Sequence, residues 1–304
     1  MAVIDPEEEC SPRCLITGAT GFIGEHLARH LISHGWTVHA ISRAVAKLSR
    51  LSDEVTGHLY NGSYESISAA IEKAKPDVVF HVASHFLSNH EPNQITSLLE
   101  ANLQFGTQLL EAMRYNGTNQ LINIGTIWQH YNGASYDPVN LYAATKQAFE
   151  AIIDYYSRAH GISGITIKLH DTYGPRDKRN KLIPNLIRAI TNDEHLAMTE
   201  GYQKLRLSHV EDICDVILRC SKLIKVNDHL RFSLGSNAES YSVREIVALL
   251  ESTTGKSLSI TWGAIKVSGR VMTNAPQIPG EKIDLKPKWN LRQHFESLRN
   301  LQNL

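Results

Sequence analysis

Short apolar segments alternate with longer amphipathic segments over the first half of the chain. The short segments are rich in Val, Ile and Leu, as buried parallel strands are, and the longer ones repeat apolar residues every three or four positions, as helices do. The predicted strands are Cys14–Thr17, Trp36–Ser42, His58–Tyr60, Asp77–Ala83, Leu121–Ile124 and Ile165–Leu169. The predicted helices are Ile23–Ser33, Ser66–Lys73, Leu98–Arg114 and Leu141–Ala159. This alternation is typical of βαβ units, so we predict an α/β fold with a doubly wound parallel sheet.

The alternation becomes irregular in the second half of the chain. There, His209–Leu223 and Leu230–Leu234 have the patterns of a helix and a strand that return to the main sheet. The remaining segments are expected to form a smaller C-terminal lobe that binds the substrate. The expected boundaries are 12–172 with 205–236 for the larger unit, and 173–204 with 237–304 for the lobe.

Charge and composition limit the classes of partner. The chain has 31 Lys and Arg against 31 Asp and Glu, so no net charge attracts it to nucleic acid or to an anionic membrane. Its four cysteines include no C-x-x-C pair, which favours a reducing compartment, the cytoplasm. The first ten residues are acidic, unlike a secretory signal, and are expected to form a short arm. No apolar run is long enough to span a membrane.

Metal binding is not expected either. His26, His30 and His34 recur every four residues on the first predicted helix. No cysteine or carboxylate ligand accompanies them, so an ordinary helix face is the favoured interpretation.

A glycine-rich turn follows the first predicted strand and opens the first predicted helix. Its glycines allow a tight turn and let backbone N–H groups at a helix N-terminus approach a pyrophosphate. The context of strand, turn, helix and second strand therefore predicts a Rossmann-type dinucleotide site. The residues predicted to contact the cofactor here are Gly18, Thr20, Gly21, Phe22, Ile23 and Gly24.

The end of the second strand indicates which dinucleotide binds. An NAD site usually has Asp or Glu about 20 residues after the glycines, whereas this chain has Ser42 and Arg43. A carboxylate would repel a 2′-phosphate, while a hydroxyl and a guanidinium can bind it. We therefore expect NADP(H), with Lys47 as an additional candidate and Asn61 and Gly62 nearby in the cofactor site. The alternative for Arg43 is a solvated surface residue.

Tyr142 and Lys146 lie four residues apart, on one face of a predicted helix. A free phenol has a pKa of about 10, and a neighbouring cation favours the phenolate and lowers that pKa. Such a tyrosine can donate a proton to a forming alkoxide. With Thr126 at the end of the fifth strand, these residues form a predicted catalytic group.

Together these motifs resemble those of the extended short-chain dehydrogenases/reductases. The matching segments are Gly18–Gly24, Phe80–Ser84, Asn102–Thr107, Ile124–Thr126, Tyr142–Lys146, Tyr173–Pro175 and Arg206–Asp212. The resemblance implies that Tyr142 and Lys146 are catalytic and contact the cofactor, and that Thr126 hydrogen-bonds the reacting oxygen. It also implies a homodimer. The residues implied to line the cofactor cleft are Val82, Ala83, Ser84 and Asn102.

The residues after Thr126 narrow the reaction. The nucleotide-sugar 4,6-dehydratases of this family carry an Asp-Glu pair there, whereas this chain has Ile127 and Trp128, which cannot transfer a proton. Water elimination is therefore not expected. The segments 126–133, 137–150, 170–175 and 179–184 resemble the CDP-abequose synthase group of nucleotide-sugar 4-ketoreductases. That resemblance implies NADPH-dependent reduction of a 4-keto-6-deoxy sugar, CDP-linked by preference, in deoxysugar and O-antigen-type glycan biosynthesis.

Several segments supply candidate substrate contacts. The residues are His85, Trp128, Gln129, Asp171, Lys181, Leu182, Arg206 and Arg270. Trp128 and Gln129 belong either to a loop that closes over a sugar ring or to an ordinary surface loop. Asp171 stands where related enzymes often have Asn, and Arg206 is either a pyrophosphate contact or a surface charge.

Two other functions compete with the reductase. The first is a nucleotide-sugar 4-epimerase with tightly bound NAD, against which Ser42 and Arg43 argue. The second is a nucleotide-sensing or RNA-binding protein that keeps the fold without the chemistry. The intact Tyr142 and Lys146 and the zero net charge argue against that function.

Overall fold

The structure of the protein, a computed structural model, describes residues 11–45, 48, 51–235, 240–266, 270–274, 278 and 280–302. The predictions made for the first ten residues and for Lys47 concern residues outside these ranges. The strands are β1 Arg13–Thr17, β2 Thr37–Ser42, β3 Val55–Leu59, β4 Val78–His81, β5 Gln120–Thr126, β6 Ser163–Leu169, β7 Asp171–Tyr173, β8 Leu196–Ala197, β9 Lys204–His209, β10 His229–Leu234, β11 Ser240–Ser242, β12 Ile260–Thr261 and β13 Glu281–Ile283. The helices are α1 Phe22–Ser33, α2 Tyr64–Ala74, α3 Ile95–Leu99, α4 Phe105–Tyr115, α5 Leu141–His160, α6 Leu182–Asn192, α7 Val210–Ser221, α8 Val243–Thr254 and α9 Leu291–Gln302.

An eight-stranded sheet forms the centre of the fold, in the order β13-β10-β6-β5-β4-β1-β2-β3. Every neighbouring pair in it is parallel. The chain runs outward in one direction from β1 to β3 and in the other from β4 to β6, so the order reverses between β1 and β4. The predicted doubly wound parallel sheet is confirmed.

Helices cover both faces of this sheet. One face packs on α1 and α7 through a cluster that contains Ile16 and Phe80, and the other packs on α2, α4 and α5 through a cluster with Leu15 and Val79. Successive strand residues point to opposite faces, and Leu15 and Ile16 are both fully buried. Burial on both faces explains why the strands read as continuous apolar runs.

A smaller lobe has its own core, which includes Leu186 on α6, Leu250 on α8 and Phe295 on α9. Its strands form two small sheets, β11-β9-β7 and β12-β8. Within the segment expected to return to the main sheet, β10 joins that sheet but β9 joins the lobe. The C-terminal segment, expected wholly in the lobe, supplies β13 to the edge of the main sheet.

Several predicted elements have different bounds in the structure, and two helices among them show why. The helix predicted from Ser66 begins at Tyr64, because the Ser63 hydroxyl caps it by accepting from the Ser66 amide at 3.3 Å. The helix predicted over Leu98–Arg114 begins earlier and contains a π turn at Glu100–Gln104 between α3 and α4. Within the described ranges, no helix is both long and apolar enough to cross a membrane.

Candidate active site

A cavity of about 600 Å³ lies where four central strands of the main sheet end. Gly18 follows β1, Val82 follows β4, and Thr126 and Leu169 end β5 and β6, and all four line it. The strand order reverses between two of these strands, which is where open α/β sheets bind ligands. The size is that of cavities that hold small molecules and cofactors.

The glycine turn forms one wall of this cavity. Gly18 has a φ of +75°, and a Cβ there would lie 2.6 Å from the backbone nitrogen of Ala83. A Cβ on Gly24 would overlap the carbonyl oxygen of Gly18. Gly21 precedes α1, and no side chain caps the start of that helix. The turn therefore brings the N-terminus of a helix to the cavity without side chains in the way, which fits a pyrophosphate.

The residues predicted to select the dinucleotide come together beyond this turn. Ser42 ends β2, and its carbonyl oxygen accepts from the amide of Tyr60 at 2.9 Å, so the loops after β2 and β3 lie side by side. Arg43 is exposed. Burial raises the pKa of Tyr60, and the positive charge of Arg43 opposes that shift. Arg43 is therefore close to this ring and open to a ligand, and Gly62 lies in the adjoining loop with a φ of +99°.

Thr126, Tyr142 and Lys146 all line the cavity. The hydroxyl of Thr126 accepts a hydrogen bond from the amide of Trp128 at 3.3 Å. Because a lone pair of this oxygen is used by the backbone, its O–H remains able to donate to a ligand. The structure thus brings the three predicted catalytic side chains to the same cavity as the glycine turn.

The pKa values of Tyr142 and Lys146 differ from those expected from the sequence. Burial raises the pKa of Tyr142 to about 12, and a hydrogen bond with Ser84 only partly opposes this effect. Burial also lowers the pKa of Lys146 to about 8, against the opposing charge of Glu150. The Tyr142 pKa is therefore raised, not lowered as a neighbouring cation alone would lower it, because desolvation of the phenolate dominates. Tyr142 is held as a neutral phenol.

Aromatic rings and an ion pair form the opposite wall. Phe86 packs edge-to-face on Tyr142 and on Trp128, with ring centroids 5.0 Å and 5.7 Å apart. The Lys181 ammonium lies 3.5 Å from the Phe86 ring centroid and 3.7 Å from a carboxylate oxygen of Asp171. The sequence analysis did not predict Phe86 as a site residue. The sequence feature that points to it is its position in the loop after β4, which ends at the cavity.

Arg179 is a second cavity residue that was not predicted as a site residue. Its guanidinium lies 4.1 Å from the Phe22 ring centroid, donates to the carbonyl oxygen of Thr172 at 2.8 Å and pairs with Asp177 at 2.7 Å. It therefore places a guanidinium, paired with a carboxylate, beside the glycine turn.

The chain matches the NAD dependent epimerase/dehydratase family over residues 14–232. It belongs to that family. The resemblance to extended short-chain dehydrogenases/reductases is thereby confirmed.

Individual proteins also resemble this chain over most of its length. CDP-abequose synthase of Yersinia pseudotuberculosis is 27% identical over 253 residues, 83% of this chain and 88% of that protein. UDP-N-acetyl-alpha-D-glucosaminuronate decarboxylase of Bacillus cytotoxicus is 26% identical over 273 residues, 82% of each chain. The structure of UDP-glucuronic acid 4-epimerase from Bacillus cereus, solved with UDP-glucuronic acid and NAD, superposes with a TM-score of 0.82 at 20% identity, covering 96% of this chain and 99% of that one. This structural likeness shows a shared fold.

Some of the site residues predicted for this chain do not line the cavity. They are Thr20, Ser42, Arg43, Asn61, Gly62, Ala83, His85, Asn102, Gln129, Leu182, Arg206 and Arg270. Ala83 lies directly behind the wall, because its amide donates to the Thr17 hydroxyl at 3.2 Å. Leu182 begins α6 and packs on the core of the lobe.

Asn102 is engaged entirely by protein groups. Its side-chain oxygen accepts from the amide of His85 at 2.8 Å, and its nitrogen donates to the His85 carbonyl and to the Thr145 hydroxyl, both at 3.0 Å. Asn102 therefore ties the loop after β4 to α5, and that loop carries Ser84 and Phe86 into the cavity.

Gln129 points away from the cavity and is fully buried. Its side-chain oxygen accepts from the amide of Thr126 at 3.0 Å, and its nitrogen donates to Glu150 at 2.6 Å. The prediction that Gln129 contacts the sugar is therefore wrong. The T-x-x-Q spacing of Thr126 and Gln129 is a capping-box signature, which is the signal that could have identified this arrangement.

The two predicted arginines of the lobe do not line the cavity and have different surroundings. Arg270 pairs with Asp137 and lies 4.3 Å from the Tyr131 ring centroid. Arg206 lies on β9 close to His170, whose pKa is lowered to about 4 by burial and further by that positive charge.

Proposed function

We propose that the protein reduces the 4-keto group of a nucleotide-diphosphate 4-keto-6-deoxy sugar with NADPH, a CDP-linked sugar being favoured. One observation carries this proposal. Thr126, Tyr142 and Lys146 line one cavity with the glycine turn, while the next residue after Thr126, Ile127, is buried and has no proton to transfer. Membership of the family supports an enzyme of the oxidoreductase and epimerase class, and relatives named CDP-abequose synthase support the reduction.

The cofactor has a fitting site on this chain. The first turn of α1 would bind its pyrophosphate, Lys146 its nicotinamide ribose, and Ser42 with Arg43 a 2′-phosphate. When bound, NADPH supplies a hydride to the ketone carbon. The absence of a carboxylate at Ser42 and Arg43 supports NADP(H) over NAD.

Tyr142 donates the proton that the reduced oxygen requires. With a pKa raised to about 12 by burial, its phenol is protonated at neutral pH and can act as a general acid. Proton transfer leaves a phenolate, which the Lys146 ammonium and the Ser84 hydroxyl stabilise. Lys146, with a pKa of about 8, is mostly charged at neutral pH. The Thr126 O–H donates to the ketone oxygen as negative charge develops there.

The opposite wall suits a deoxysugar diphosphate. Phe86 and Trp128 present apolar ring surface on which a sugar face and a C6 methyl group can pack. Lys181 and Arg179 place cationic donors in the same cavity for a diphosphate, and Asp171 and Asp177 pair with them there.

A homodimer is proposed by analogy with the family. Ile95 and Leu99 on α3 are 37% and 39% exposed, and a shallow groove beside them is lined by Leu103 and Thr107. Sedimentation should detect a dimer in the wild type and a monomer in Leu99→Arg. A wild type that sediments as a monomer would contradict this assignment.

Loss of NADPH absorbance against CDP-, dTDP-, UDP- and GDP-linked 4-keto-6-deoxy sugars tests the proposed reaction. We expect stoichiometric oxidation of NADPH, fastest with the CDP-linked sugar. No oxidation with any of these sugars would overturn the proposal. Interconversion of nucleotide-sugar 4-epimers without added cofactor would establish the epimerase instead.

A further inference from the structure

A buried polar cluster lies beneath Thr126, on the side away from the cavity. Its centre is the Glu150 carboxylate on α5, which is 1% exposed. Glu150 accepts from the Gln129 nitrogen at 2.6 Å and from the Arg231 guanidinium at 2.9 Å, and the Lys168 ammonium lies 3.6 Å away. The carboxylate is therefore fully paired with cations and a donor, as a buried charge must be.

The orientation of the Gln129 amide is fixed by its neighbours. Its oxygen faces the Thr126 N–H, so its nitrogen must point the other way, to Glu150 and to the Gln147 oxygen at 3.0 Å. A Cβ on Gly125 would lie 2.9 Å from the Gln129 oxygen. The side chain is thus packed against the strand backbone, with both of its N–H groups and its oxygen in use.

This cluster is connected to two of the proposed catalytic residues, Thr126 and Lys146. Gln129 holds the backbone nitrogen of Thr126, while Glu150 lies one helical turn after Lys146 on α5. Neither Gln129 nor Glu150 lines the cavity. Any effect of these two residues on the reaction must therefore act through Thr126 and Lys146.

We propose that Gln129 and Glu150 are positioning residues for the reduction, with Gln129 fixing the Thr126 backbone and Glu150 anchoring Gln129 to the helix that carries Lys146. The inference rests on the proposed function. Its signature is a loss of kcat with little change in substrate or cofactor binding, because the residues touch neither ligand.

Gln129→Glu is the sharpest test, because it keeps the side-chain shape but sets a second carboxylate against Glu150. We expect kcat to fall between about tenfold and a hundredfold, the range that a small misplacement of a catalytic group produces. The KM values for NADPH and for the CDP-linked sugar should change less than about threefold, on the same argument. The matched control is Gln120→Glu, the same change at the opposite end of β5, which should leave kcat unchanged.

A charge exchange distinguishes positioning from general damage. In the double variant Gln129→Glu with Glu150→Gln, the carboxylate and the amide trade places and can keep one hydrogen bond between them. We expect kcat to recover above that of either single variant. If Gln129→Glu does not fold, the comparison of Glu150→Gln with the double variant serves the same purpose. A folded Gln129→Glu with wild-type kcat, or a double variant no better than the single variants, would overturn the proposal.

A stability measurement separates this inference from the proposed reaction. The carboxyl pair in Gln129→Glu would face Lys168 on β6, Arg231 on β10, Lys146 on the same helix and His130 after β5. Two carboxylates in contact favour taking up a proton, so the Tm deficit of the variant should shrink on acidification, unlike that of Gln120→Glu. A wild type that oxidises no NADPH would refute the reaction only, whereas a variant without this pH-dependent deficit would refute the contact.

Discussion

Gly24→Ala should damage both the stability of the fold and cofactor binding. The added Cβ would overlap the Gly18 carbonyl oxygen and lie 2.7 Å from its carbon and 2.8 Å from the Cα of Ala19. These are all backbone atoms, so no side chain can rotate away and α1 must shift from the turn. Overpacking of this kind costs about 1–3 kcal/mol, and a backbone contact belongs at the upper end.

The net loss of stability is smaller than the cost of the clash, because alanine is more favourable than glycine within a helix by up to about 1 kcal/mol. The net loss is therefore about 2 kcal/mol. An unfolding entropy of about 2.1 cal/mol/K per residue gives about 0.6 kcal/mol/K for 304 residues, so Tm should fall by about 3 °C. NADPH affinity should fall more than about tenfold, because the amides that hold the pyrophosphate move.

Thermal unfolding and a fluorescence titration with NADPH measure the two effects. Gly35→Ala is the matched control, because Gly35 has a φ of +79° but nothing lies within 4 Å of an added Cβ. It should lose stability through backbone strain of about 1–2 kcal/mol while binding NADPH normally. Wild-type NADPH affinity in Gly24→Ala would refute the close approach of the turn and the helix.

Four further predictions follow from the site and from the packing around it. Tyr142→Phe should lower kcat by about 10²–10⁴-fold while NADPH still binds by fluorescence; retained activity would refute its role as the acid. The rate should fall as pH rises through about 8, where Lys146 loses its charge, since Tyr142, with a pKa of about 12, stays protonated; a profile level well above pH 8 would contradict this. Arg43→Asp should shift the kcat/KM ratio from NADPH toward NADH, because a carboxylate repels the 2′-phosphate, and an unchanged ratio would remove Arg43 from the site. Tyr156→Phe should lower Tm by about 2 °C without changing kcat, because it removes a hydrogen bond of 2.7 Å to the part-exposed Glu111 worth about 1 kcal/mol.

The features that the sequence predicted correctly are set by local pattern. Parallel strands buried on both faces produce the apolar runs, and the spacing of Gly18 and Gly24 reflects a close contact between these two glycines. The spacing of Tyr142 and Lys146 likewise needs only a helix. These patterns were sufficient for the sheet, the glycine turn and the pair of Tyr142 and Lys146.

The remaining features depend on contacts between distant segments. Phe86 enters the cavity because Asn102 and Thr145 hold its loop, and no periodicity marks it. The Gln129 side chain points into the protein because it donates a hydrogen bond to Glu150, 21 residues further along the chain. This contact forms only when the two segments pack together. The pKa of Tyr142 is governed by burial, which the four-residue spacing to Lys146 does not reveal. Local sequence therefore located the candidate catalytic groups but not their environment.

Arg231 limits how this chain can be divided and recombined. It reaches back 81 residues to Glu150 and 77 residues to Asp154, and its strand pairs with the edge of β6. A fragment that stops before β10 would leave two carboxylates on α5 without their guanidinium and an open strand edge, a template for aggregation. A chimera that exchanges the smaller lobe between relatives must therefore keep β10 with the parent that supplies α5, and take only the segments on either side of it from the donor.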